Sequence, residues 1–75
     1  MDKFQAAEQF GRRVAVLRTA QGWSVTDLAY VAGLCRQVVA RIEHGATARE
    51  DTRHCLRVAL GWNEDKEKAL ELLGV

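Results

Sequence analysis

The sequence predicts an all-α fold of five short helices, and three observations carry that expectation. First, there is no proline and only six glycines. Gly22, Gly33, Gly45, Gly61 and Gly74 each follow a segment of helical character, where a residue free to take positive φ closes the last turn at low cost. Second, apolar residues recur at three- and four-residue spacing, and no alternating strand pattern competes with them. Third, capping residues stand where the helices should begin.

In chain order, helix 1 carries the stripe Phe4, Ala7, Phe10, Val14 and Leu17. Helix 2 runs from Val25 to Ala32 behind the capping box Ser24-Val25-Thr26-Asp27, and Gly33-Leu34 turns the chain. Helix 3 covers Arg36 to His44, with Cys35 as a weak cap. A second capping box, Thr47-Ala48-Arg49-Glu50, is expected to open helix 4, which is lined by Leu56, Ala59 and Leu60. Asn63 caps helix 5, residues 64–73, with Glu64 and Asp65 at the positive end of its dipole.

Seventy-five residues allow one domain, 1–75. A chain of this size buries only about 60% of its unfolded surface, which suffices without disulfides. Charged residues at 28% and hydrophobic residues at 48% argue against disorder. No apolar run is long enough to span a bilayer, and Met1-Asp2-Lys3-Phe4 lacks a signal pattern. With only Cys35 and Cys55 for thiols, the expected compartment is cytoplasmic. Catalysis is not expected. Neither Cys35 nor Cys55 has a visible orienting partner to join it to His44 or His54, and their spacing is not that of a zinc site. No metal, cofactor or small-molecule ligand is therefore expected, and with nothing after Val75 no ligand-sensing domain either.

The net charge is +1, unevenly placed. Residues 1–62 hold nine Lys/Arg against six Asp/Glu, and residues 63–75 hold two against four. Nearly all the positive charge is arginine: Arg12, Arg13, Arg18, Arg36, Arg41, Arg49, Arg53 and Arg57. Its planar fork suits phosphate and guanine.

Two short helices joined by a glycine-containing turn, as at residues 25–44, make a helix-turn-helix, whose second helix can enter a DNA major groove. Leu28, Ala32, Leu34, Val39 and Ile42 take the inward positions, which leaves Arg36, Gln37, Ala40, Arg41 and His44 on the outer face of helix 3. Arginine can bond guanine O6 and N7, and glutamine can bond adenine N6 and N7.

The run Leu17-Arg18, Gly22-Trp23-Ser24, Leu28-Ala29, Ala32-Gly33-Leu34, Val39 and Arg41-Ile42-Glu43-His44-Gly45 resembles the Cro/phage-repressor (XRE) helix-turn-helix family. That resemblance implies a five-helix, lambda-repressor-like domain that binds a palindromic operator in double-stranded DNA as a homodimer, in a prokaryotic or phage setting. It implies base-reading roles for Arg36, Gln37 and Arg41, and an internal ion pair between Arg18 and Glu43. The sequence departs from the family pattern at Val25, at Cys35 and in the proline-free loop 45–49. Phosphate contacts are then expected from Ser24 and Thr26 at the start of helix 2, from His44 and from Arg49. Helix 5 supplies more leucine than one small core needs, so Trp62, Leu70 and Leu73 are expected at a dimer interface. The alternative is a protein-interaction module, antitoxin-like or adaptor, on the same fold with DNA affinity lost.

Overall fold

A computed structural model describes residues 2–75. The helices are α1 (Lys3–Ala20), α2 (Val25–Ala32), α3 (Arg36–Glu43), α4 (Glu50–Leu60) and α5 (Glu64–Leu73). No strand forms among the described residues. The radius of gyration is 11.3 Å, the value of roughly 11 Å expected for a compact globule of this length.

Every helix contributes to one core. Val14 and Leu17 come from α1, Leu28 and Ala29 from α2, Val39 and Ile42 from α3, Leu56 and Leu60 from α4, and Leu70 from α5. Truncating any of the leucines to alanine removes about 2–5 kcal/mol. The α1–α3 crossing is close. A Cβ built on Gly11 would lie 2.1 Å from the carbonyl oxygen of Ile42, so the two backbones touch where only glycine fits. At the end of α2, Gly33 takes φ 70° and ψ 33°. Its left-handed conformation turns the chain through Leu34 and Cys35 into α3, which packs directly on α2.

Ser24 Oγ accepts from the Asp27 amide at 3.0 Å and Asp27 Oδ2 accepts from the Ser24 amide at 2.9 Å, closing the expected capping box of α2. Asn63 Oδ1 likewise caps α5 through the Lys66 amide at 2.9 Å. The α4 expectation is corrected. Arg49 is the N-cap, no side chain caps it, and Thr47 lies in the preceding loop. Ala48 is packed against the core, which carries the chain two residues further before the helix begins.

A second correction concerns α5. Leu70, expected at a dimer interface, is 1% exposed and fills the core of the single chain. Trp62 is also engaged within the chain. Its ring stacks on Phe10 with centroids 5.5 Å apart, and its indole N–H donates to Glu67, which also pairs with Arg13. Arg13 Nε donates to the carbonyl of Val75 at 2.9 Å, and Lys66 Nζ donates to that of Leu60 at 2.6 Å. These contacts hold α5 so that Leu70 points inward, while Leu72 and Leu73 stay 86% and 68% exposed.

Candidate nucleic-acid interface

With Val39 and Ile42 buried, the geometry of α3 presents Arg36, Gln37, Arg41 and the capping residue His44 to solvent, with half-buried Ala40 between them. The small methyl of Ala40 leaves the backbone of this face open to close approach. No carboxylate stands among these residues, since Glu43 turns away to meet Arg18.

That ion pair sets the position of α3. Arg18 Nε donates to Glu43 Oε2 at 2.7 Å and Nη2 to Oε1 at 3.0 Å, a two-pronged contact. Its Nη1 donates to the carbonyl of Trp23 at 2.8 Å. One guanidinium therefore joins the end of α1, the turn before α2 and the last turn of α3. The hydrogen bond to Glu43 raises the Arg18 pKa further above its ordinary value, against a smaller opposing effect of burial.

The remaining arginines separate into two groups. Arg13 pairs with Glu67, Arg49 loosely with Asp51 at 3.8 Å, and Arg53 and Arg57 with Glu50. The hydrogen bond from Arg53, and then its charge, hold the Glu50 carboxyl below its usual pKa. Arg12, Arg36 and Arg41 have no carboxylate within 4.0 Å among the described residues. Two of these three stand on the outer face of α3, and the third, Arg12, lines a shallow depression with His44 and Gly45 at the end of that helix.

Sequence reasoning gave Arg12 no role. Glu8 stands one turn earlier, at a spacing that permits pairing on a helix, but it makes no contact with Arg12 within 4.0 Å. Glu8 and Glu43 also line the depression, so the charge there is mixed.

The expected phosphate-binding residues lie in three places. Ser24 and Thr26 are exposed at the start of α2, but Ser24 Oγ is engaged in the capping box and the Asp27 carboxylate sits at the same terminus. His44 is exposed, and its Nδ1 lies 2.7 Å from the carbonyl oxygen of Ala40. Arg49 is 88% exposed at the start of α4. It shares a groove of about 280 Å³ with Arg41, Val38, Ile42, Ala46, Thr47, Ala48 and Thr52. Arg41 and Arg49 thus meet at one groove, whereas Ser24 and Thr26 stand apart from it.

Cys35 is exposed and Cys55 half-buried, both as free thiols. Among the described residues no helix is long and apolar enough to cross a membrane. The chain matches no known protein family, no curated protein and no solved structure.

Proposed function

We propose that this protein is a sequence-specific regulator that binds double-stranded DNA, with α2 and α3 acting as a helix-turn-helix in a lambda-repressor-like arrangement and α3 lying in the major groove. The observation that carries this reading is the outer face of α3, where Arg36 and Arg41 have no carboxylate partner and Gln37 and Ala40 lie between them. Most other arginines of the molecule meet a neighbouring acid, Arg12 on α1 excepted, so the two unmatched charges on one helix face favour an anionic partner. Arginine and glutamine side by side can distinguish guanine from adenine. Binding as a homodimer to a palindrome supplies the base contacts that one short helix lacks, with the two α3 helices roughly 34 Å apart.

A mobility-shift titration against DNA from upstream of the protein's own gene tests this. About four to six phosphates neutralised per dimer give a slope of log K against log salt near −4 to −5. A flat salt response, or no shift at micromolar protein, defeats the proposal.

A second reading, an interaction module that uses the same fold, is favoured by α2. Tyr30 is 87% exposed and Val31 50% exposed, an apolar surface that DNA contact does not require. Retained DNA binding in a Tyr30→Ala, Val31→Ala double variant separates the two readings.

A further inference from the structure

The loop of residues 46–48 borders the groove beside α3 and also a separate cavity of about 240 Å³ toward α1 and α4. Phe10 and four alanines make most of the wall of this cavity, Thr47 adds a hydroxyl, and Lys3 and Arg53 bring the charge. No acid is part of the lining among the described residues. The wall is drawn from residues 3–10, residues 46–48 and Arg53, so no local motif announces it.

Arg53 is a half-used donor. Its Nη2 meets Glu50 at 2.5 Å, but its Nε is shut off from solvent and has no acceptor among the described residues. A buried donor without a partner is unfavourable, and an acceptor that reaches it is rewarded. Glu50 does not depend on Arg53 alone, because it also accepts from Arg57 at 3.1 Å. The Arg53 fork can therefore turn to a second carboxylate, held through Nε and one Nη, without stranding Glu50. Exposed Lys3 has no carboxylate within 4.0 Å among the described residues and adds a second positive charge to the lining.

An inorganic anion would leave the apolar wall wet, and an uncharged apolar molecule would leave the arginine unmet. The volume lies below the roughly 300–1,000 Å³ of pockets for drug-sized ligands, which limits the body of a ligand to one ring or a short chain. We propose that this cavity binds a small organic carboxylate, with its charged end on Arg53 and its aromatic or short aliphatic body against Phe10 and the alanines. The site is separate from the outer face of α3 and does not rest on the DNA-binding reading.

Sodium benzoate is the probe, titrated at constant ionic strength into nitrogen-15-labelled protein and followed by amide chemical shifts. The amides of Ala6, Ala46 and Arg53 should shift saturably, with a dissociation constant of about a millimolar or below. Benzyl alcohol and acetate, which each lack one half of the ligand, should bind at least about tenfold more weakly. Arg53→Gln should weaken benzoate about tenfold. Ala6→Leu, which fills the cavity from an exposed helical position, should remove binding. Lys68→Gln deletes a positive charge on α5 outside the lining and should bind as wild type does. Thermal melts check that each variant folds, and Ala6→Leu carries the test if Arg53→Gln does not.

Benzyl alcohol binding as tightly as benzoate overturns the inference, and so does unchanged benzoate affinity in folded Arg53→Gln or in Ala6→Leu. Shifts confined to other parts of the chain, or none that saturate at tenfold higher benzoate, overturn it as well. DNA binding by α3 stands or falls separately, in the mobility-shift titration.

Discussion

Arg18 and Arg36 carry the same charge and have opposite uses. Arg18 is largely buried, with both prongs on Glu43 and its third donor on a carbonyl. Removing one partner of such a pair leaves the other charge uncompensated, which costs about 3–5 kcal/mol. Glu43→Ala should therefore lower the melting temperature by roughly 12 °C or more, since each kcal/mol moves a domain of this size by about 4–8 °C. A melting curve that superimposes on wild type would show that the pair holds nothing together. Arg36 stands in solvent with Gln37 beside it, so neither side chain supports the fold. Arg36→Ala and Gln37→Ala should leave the melt unchanged, weaken binding to a selected site by about 1–3 kcal/mol, and barely alter binding to random duplex. Equal losses on both DNAs would remove α3 as the reader.

At the scale of the elements, α3 depends on α1 more than on its own sequence. It is one of the two shortest helices, and its N-cap Cys35 makes no side-chain hydrogen bond. Isolated helices of such length are marginal in water, so packing must supply the order. Gly11 lets α1 come into backbone contact with the end of α3, and Arg18 fastens the same end through Glu43. Gly11→Ala should destabilise the chain and weaken DNA binding together, because the new methyl group forces α3 away from α1. Denaturant melts set beside binding titrations check this. A stable Gly11→Ala protein with wild-type affinity would show that the crossing has room to spare.

For the whole molecule, the proposed pairing of two chains is constrained by α5. Leu70 cannot serve an interface without leaving the core, so any pairing through α5 must use the exposed Leu72 and Leu73. Sedimentation should give wild type about twice its chain mass at micromolar concentration, and Leu72→Lys with Leu73→Lys a folded species of single mass. Leu70→Lys should unfold instead, since it buries an unpaired charge. A wild-type monomer at high micromolar protein, or a double variant that still sediments as a dimer, would move the interface away from α5.

The local features of this protein were determined by the sequence alone. The bounds of α2 and α5, the capping box at Ser24 and Asp27, and the left-handed glycines all follow from interactions spanning five residues or fewer, and such interactions are legible in order along the chain. The outer face of α3 was legible for the same reason, because helical periodicity separates Val39 and Ile42 from Arg36, Gln37 and Arg41. Thr47 carried an equally good capping pattern, yet Ala48 packs against the core and the helix begins later, since burial outweighs one cap hydrogen bond of about 1 kcal/mol. Tertiary structure alone decided which of three nearby leucines is buried, which arginines keep a carboxylate, and that Arg41 and Arg49 share a groove. Those outcomes depend on the angle at which each helix crosses its neighbours. The crossing is set by contacts between residues far apart in the chain, such as Gly11 with Ile42 and Arg13 with Val75, and no local pattern encodes it.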